Sequence, residues 1–318
     1  MQKTAHWPSI LVLGVIVPGA LLFLLAALGF GIASIVELFQ GTADPAGVMI
    51  ASISTAFEGI LLGALAWFVF QKTRAQARAD ETLRLPFQWW HILVMLGIGA
   101  IALTIGTVVV IMEIQILAWL FLPVLTLLLI VPPIWVLLGL GTHQLDLGPR
   151  WRALGIFGLG MTIGPLIMIF LEIVLLVIFV VILAISLSQD PARLAELTQL
   201  GLALQNETDP QVLLQILAPY IFNPRIVVLI FGYIALAVPM IEEVFKPLGV
   251  WLFASKIETP SQGFALGLLS GAAYALVESL GASGQGDTGW PVVVAVRAGT
   301  SLLHITTTGL MGWAIVSA

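Results

Sequence analysis

Residues 225–253 read RIVVLIFGYIALAVPMIEEVFKPLGVWLF, a stretch apolar enough to cross a bilayer except for Arg225 at its start and Glu242, Glu243 and Lys246 further in. An ionisable side chain at mid-membrane costs roughly 2.5–3.5 kcal/mol on insertion scales, so three within five residues require mutual pairing, a water-filled cavity, or both. Such a cluster marks a functional site before it marks a lipid-facing span. On a continuous helix Glu242 and Lys246 stand at i, i+4, and Glu243 and Lys246 at i, i+3, so one lysine can partly neutralise two carboxylates. A surplus negative charge remains, which suits general acid–base work. Pro239, three residues ahead of the acids, has no N–H to donate and tends to open the helix beside them.

Two later stretches supply partners. Ser270, Tyr274 and Glu278 lie at i, i+4, i+8 on one apolar segment, and Arg297, Thr300, His304 and Thr308 share one face of the last. Each is a polar stripe on an apolar helix. Glu242, Glu243, Lys246, Glu278, Arg297 and His304 together make an interior constellation of acids, bases and a titratable imidazole, the chemistry of a hydrolase site.

The 318 residues are 60% hydrophobic and only 9% charged, with a mean hydropathy of +1.10, too little polar surface for a soluble fold of this size. The chain reads as an all-α polytopic transmembrane bundle embedded in the lipid bilayer. No basic patch suggests nucleic acid. With no cysteine, thiolate nucleophiles and disulfides are excluded, and Glu, Asp and His are left as metal ligands.

Apolar runs at about 10–39, 47–70, 89–112, 114–141, 153–188, 225–253, 262–280 and 290–318 each meet the roughly 20-residue requirement, giving eight spans. The first is too long for a signal-peptide core. The third and fourth meet at Glu113, and Pro123, Pro132 and Pro133 should bend the fourth. Lys3, then Lys72, Arg74, Arg78 and Arg84, then Arg150 and Arg152, then Lys256 fall on one side of this division, and only Arg193 and Arg225 on the other. The positive-inside rule then places both termini inside and the 189–223 loop outside. The domains follow: a five-span region at 1–188, an extracytoplasmic amphipathic helical loop at 189–223, and a three-span catalytic core at 224–318. Within the loop, Asp190-Pro191 and Asp209-Pro210 each pair an N-cap with proline at the first helical position, and Leu194, Leu197, Leu200 and Leu204 make an apolar stripe suited to the interface. Asn206-Glu207-Thr208 is a glycosylation sequon that carries no weight here. Trp89-Trp90-His91 suits a headgroup-level belt, while Glu58 and Glu172, solitary on their helices, read as interior hydrogen-bond partners. The chain stops at Ala318 with no polar residue after its last apolar run, which leaves a longer natural protein open.

Two short motifs are decoys. Gly281-Ala282-Ser283-Gly284 is similar to the serine motif of rhomboid proteases, but Ser283 stands directly before the helix bearing His304 instead of a span away. Gly284-Gln285-Gly286-Asp287 resembles the presenilin-type motif, which needs a second intramembrane aspartate that no span supplies. The 281–289 segment reads as a flexible outer turn.

Pro239-x-x-Glu242-Glu243-x-x-Lys246, Tyr274-x-x-x-Glu278, Arg297 and His304-x-x-x-Thr308-Gly309-x-x-Gly312 resemble, in order and spacing, the PrsW family of intramembrane proteases. The likeness covers roughly 225–318, with Ser279 where the family usually has asparagine and Tyr274 where it usually has phenylalanine. That family is similar in turn to type II CAAX prenyl endopeptidases and to a non-catalytic scaffolding subunit of gamma-secretase. The resemblance implies functional roles for Glu242, Glu243, Lys246, Glu278 and His304, a bacterial cell membrane, and cleavage of a single-pass membrane protein such as an anti-sigma factor. Two routes to an active water stay open: direct activation by Glu242 or Glu243, or a zinc ion held by Glu243, Glu278 and His304. An ion- or proton-coupled transporter and a non-catalytic scaffold are the alternatives from other classes.

Overall fold

A computed structural model describes residues 6–41, 44–188, 191–207, 209–222 and 224–318; Lys3, the Asp190 cap and Thr208 lie outside them. The helices are α1 (Trp7–Gln40), α2 (Pro45–Thr73), α3 (Trp90–Ile111), α4 (Gln115–Gly141), α5 (Arg150–Met161), α6 (Ile163–Ser188), α7 (Pro191–Asn206), α8 (Pro210–Ile221), α9 (Pro224–Phe231), α10 (Val238–Phe245), α11 (Leu248–Phe253), α12 (Pro260–Ala282) and α13 (Trp290–Ser317). Among the described residues, six helical stretches combine the length and apolar composition needed to cross a membrane: α1, α2, α3, α4, the run from α5 into α6, and α12. The protein is an all-α membrane bundle. α13, at 28 residues, is long enough to cross but carries the polar stripe. The stretch at 225–253 is divided among α9, a π-helical turn, α10 and α11.

The chain forms two compact units, one of residues 1–165 and 246–318, the other of residues 166–245. These borders differ from the domains expected from the sequence, because α12 and α13 return to pack among α2, α4 and α5.

In the first unit, helix ends follow local chemistry. Asp44 caps α2 by accepting from Gly47 N–H at 2.9 Å, with Pro45 at the first helical position. Thr259 caps α12 in the same way, accepting from Gln262 N–H, with Pro260 behind it. α1 ends at Gly41, whose φ of 66° is readily reached only without a Cβ. α4 runs unbroken through Pro123, Pro132 and Pro133. Glu113, with φ of 54°, makes the tight turn between α3 and α4.

α12 is the most buried of the crossing helices. Gly263, Gly267 and Gly271 form a seam at i, i+4, i+8 along it, and a Cβ at Gly271 would lie 2.6 Å from the carbonyl oxygen of His304. Cβ atoms at Gly267 and Gly312 would likewise meet the Thr308 and Gly263 carbonyls. Small residues therefore let two membrane helices approach backbone to backbone. Trp290 anchors the start of α13: its ring covers Gly106 of α3 and its Nε1 donates to Thr126 Oγ1 of α4 at 2.8 Å.

The connectors of this unit are tied in two groups. At one end Leu83 N–H donates to the Gly148 carbonyl at 3.0 Å and Arg150 N–H to the Glu81 carbonyl at 2.9 Å, while Arg152 Nη1 donates to the Lys256 carbonyl. Lys72, Arg74, Arg78, Arg84, Arg150, Arg152 and Lys256 gather there. At the other, Gly286 N–H donates to Asp44 Oδ2 at 2.8 Å, and Asp44, Glu113 and Asp287 line a cleft of about 430 Å³. The 281–289 segment is thus tied down at Gly286 by the hydrogen bond it donates to Asp44 of the α1–α2 turn.

In the second unit, Asp209 caps α8 by accepting from Gln211 N–H at 2.8 Å, as its Asp-Pro sequence requires. Residues 232–237 form a π-helical turn between α9 and α10, closed by a bond from Val238 N–H to the Tyr233 carbonyl. Pro239 supplies the reason: without an N–H it cannot serve the carbonyl four residues back, and the ladder widens instead of closing. Tyr233 Oη donates to the backbone carbonyl of Glu172 at 3.0 Å, fastening this turn to α6.

Candidate active site

Lys246 is 2% exposed, one of the most buried large side chains in the first unit. α10 ends at Phe245, and Lys246 stands in the turn before α11, with Pro247 capping that helix. Lys246 is thus the first residue past the end of α10, and Pro247 after it has no N–H with which to continue that helix. Ser270 Oγ of α12 donates to the carbonyl oxygen of Lys246 at 2.5 Å and holds the turn.

From there a chain of contacts crosses three segments that lie far apart in sequence. Lys246 Nζ is 2.9 Å from His304 Nδ1. His304 Nε2 is 2.7 Å from Glu278 Oε2. Glu278 Oε1 accepts from Arg297 Nη1 at 2.9 Å. Tyr274 fills the inner side, its ring face 4.8 Å from Lys246 Nζ and its edge against the His304 ring at 5.2 Å between centroids, so the ammonium gains a π partner where water is excluded. The glycine seam makes the short reach possible, because Gly271 abuts the His304 backbone. A larger residue there would separate α12 from α13.

An ammonium has donors only, so Nδ1 accepts and the imidazole proton resides on Nε2, facing Glu278. The Nε2 to Oε2 contact is close but poorly aligned: Oε2 is buried and takes no well-directed hydrogen bond among the described residues. One carboxylate lone pair thus stays available beside the imidazole. The line is graded from the buried Lys246 to Glu278 and Arg297, whose side chains are 28% and 29% exposed.

Of the six site residues expected from sequence, the first unit brings together Lys246, Glu278, Arg297 and His304. Glu242 and Glu243 lie on α10 of the second unit, directly after the π-helical turn. Thr308 is buried, and its hydroxyl has no hydrogen bond among the described residues. Ser283, the rhomboid-like serine, is fully buried and donates to the Ser279 carbonyl at 2.6 Å, closing the end of α12. Asp287 Oδ1 accepts from Gly289 N–H at 2.8 Å and shapes the turn into α13. Glu58 is 2% exposed, but Oε1 lacks the hydrogen bond expected of it among the described residues. His91 accepts from Gln88 N–H at 3.1 Å at the start of α3, in keeping with a headgroup-level role. Sequence reasoning missed the anchoring roles of Ser270 on Lys246 and of Tyr233 on α6; the polar stripe on α12 pointed to the first, and nothing pointed to the second.

No protein-family model, curated protein or solved structure matches this chain.

Proposed function

We infer that this protein is a membrane-embedded peptidase resembling the PrsW family, hydrolysing a peptide bond of a membrane protein substrate such as an anti-sigma factor. The observation that carries the reading is the Lys246–His304–Glu278–Arg297 line, a lysine-oriented imidazole backed by a carboxylate inside apolar helices. Intramembrane ionisable groups arranged so are a functional feature by default.

In the proposed reaction Glu242 or Glu243 takes a proton from water, whose oxygen attacks the scissile carbonyl carbon. Lys246 donates to the carbonyl oxygen as negative charge develops on it. The C–N bond then breaks as Nε2–H of His304 protonates the leaving amine while Lys246 Nζ passes a proton to Nδ1, so the ring stays neutral; Glu278 and Arg297 hold the ring in place, and the glutamic acid afterwards returns its proton to the lysine. The proposal takes the metal-free route. Zinc-bound histidine ordinarily hands its second N–H to an acceptor that raises its basicity, whereas Nδ1 of His304 faces an ammonium and Glu278 already carries a guanidinium. A dication on those two groups would be opposed by two cations.

The test is cleavage of a single-pass membrane substrate by the full chain in lipid. Glu242→Gln and Glu243→Gln keep volume and hydrogen bonding but remove the base, so at least one should lose about 10²-fold or more. Undiminished cleavage by the double variant would sink the mechanism, and chelator-sensitive cleavage restored by zinc would return the case to metal. Substrate-coupled ion flux without cleavage would make the protein a transporter, and neither activity would leave a scaffold. We further propose that the basic end of the first unit faces the cytoplasm, in accord with the positive-inside rule. Single cysteines at Arg78 and Gln285, both exposed, should then label from inside and outside respectively.

A further inference from the structure

Between α2, α4, α5 and α12 of the first unit lies a cavity of about 340 Å³ lined only by apolar side chains. It begins under Leu83 and Leu85 of the α2–α3 connector, at the basic end, and extends past Leu269 to Leu276 of α12. Leu276 is about 24 Å along the helix from Pro260, at 1.5 Å per residue. That elongated course, from headgroup level toward mid-bilayer, matches the path of an acyl chain. Ala64 at its rim is exposed, so a chain can enter sideways from the bilayer.

Leu85 also lines a second cavity, of about 520 Å³, whose wall is polar: Thr82, Arg84, Thr142, His143, Gln144 and Asp146. Arg84 is exposed and makes no ion pair or hydrogen bond among the described residues. Four of its neighbours at this end are committed: Lys72 to Asp80 at 2.6 Å, Arg150 to Glu81 at 3.4 Å, Arg152 to the Lys256 carbonyl, and Arg74 to the Phe70 ring; Arg78 and Lys256 do not line this pocket. Asp146 spends Oδ1 on Gly148 N–H at 2.8 Å, and its negative charge limits what the pocket attracts to a weakly anionic head. Gln144 is held at φ of 65° in the same loop, a conformation a residue with a Cβ keeps only when its surroundings impose it.

An apolar slot that adjoins, across Leu85, a polar pocket with one uncommitted guanidinium has the form of an amphiphile with a single negative charge. We propose that these two cavities form one binding site for an anionic glycerophospholipid, its acyl chain between α2, α4 and α12 and its phosphodiester on Arg84. Guanidinium–phosphate pairing is charge-assisted and can be bidentate, and the hydroxyls and amides around it suit a glycerol headgroup.

The experiment is native mass spectrometry of the full chain released from nanodiscs holding equal phosphatidylglycerol and phosphatidylcholine with the same acyl chains. One phosphatidylglycerol should be retained with about tenfold preference or more, the scale of one charge-assisted contact. Arg84→Ala should erase the preference, whereas Arg74→Ala, outside the pocket, should keep it. Ala64→Trp should expel both lipids by closing the rim. On the unaltered protein, glycerol phosphate and a four-carbon-chain phosphatidylglycerol should fail to displace the long-chain lipid. Equal retention of both lipids, or a preference that survives Arg84→Ala, would mean annular lipid only. Displacement by glycerol phosphate would reveal a phosphate site that uses no chain, and would equally overturn the proposal.

Discussion

Nζ of Lys246 stands 2.9 Å from Nδ1 of His304, and because an ammonium can only donate, this contact makes Nδ1 the acceptor and leaves the ring proton on Nε2. A residue in a turn after α10 thereby selects the tautomer of a histidine on α13. Glu278, on the far side of the ring, meets the nitrogen that carries the proton.

Lys246→Met removes that donor while keeping an apolar stem in a buried site. Nitrogen NMR of His304 should then show mixed tautomers where the unaltered protein shows the Nε2–H form alone. Cleavage should fall about 10²-fold, the usual worth of a positioned acid–base group. A single unchanged tautomer in the variant would mean that Lys246 does not orient the ring.

The glycine seam makes a separable claim. Gly271→Val places a branched side chain against the His304 backbone, and overpacking of this kind costs about 1–3 kcal/mol. Thermal unfolding should occur at lower temperature, and the His304 signals should move even though no site residue has changed. Gly14→Ala, where an added Cβ meets nothing within 4 Å, should leave both readouts as they were.

Asp44 caps α2 and also receives Gly286 N–H, so Asp44→Ala loses two interactions. A cap alone is worth about 0.5–2 kcal/mol, and the destabilisation should reach at least that range. Ser283→Ala and Asp287→Asn, which remove the rhomboid-like and presenilin-like groups, should leave cleavage intact. A loss of cleavage in either, with the fold preserved, would make a decoy a participant.

His6, at the N-cap of α1, is held below its ordinary value of 6.5, first by burial and then by the positive charges of Lys72 and Lys256. A base with a depressed folded value binds fewer protons folded than unfolded, so its contribution is fully present above 6.5 and is lost as pH falls through the depressed value. His6 Nδ1 also lies 3.0 Å from Ser9 Oγ. Hydrogen-exchange protection at the start of α1, taken relative to intrinsic exchange at each pH, should fall below pH 6.5, and His6→Asn, which keeps a capping side chain without titrating, should flatten that dependence.

The helical membrane class, the polar stripes on α12 and α13, and the cap at Asp209 were legible in the sequence, and Asp44-Pro45 and Thr259-Pro260 carry the same kind of local signal. Each rests on local rules: hydropathy over about 20 residues, helical periodicity, and the geometry of a first turn. Pro239 likewise announced a disturbed helix, and the π-helical turn lies directly ahead of it. The resemblance to a peptidase came from residue order, and it singled out Glu242, Glu243, Lys246, Glu278 and His304 without saying how they pair. That pairing needed tertiary structure. Helical spacing set Lys246 beside Glu242 and Glu243, and tertiary structure adds what spacing could not show, that its side chain also reaches His304 and Tyr274. Which residue His304 meets depends on how closely α12 approaches α13, and that distance is decided by glycines at Gly263, Gly267 and Gly271 meeting backbone from another segment. The binding cavity beside Arg84 is non-local in the same sense, since its walls come from four helices and two connectors. Periodicity tells which face of a helix is apolar; only packing determines which other face it meets, and how near.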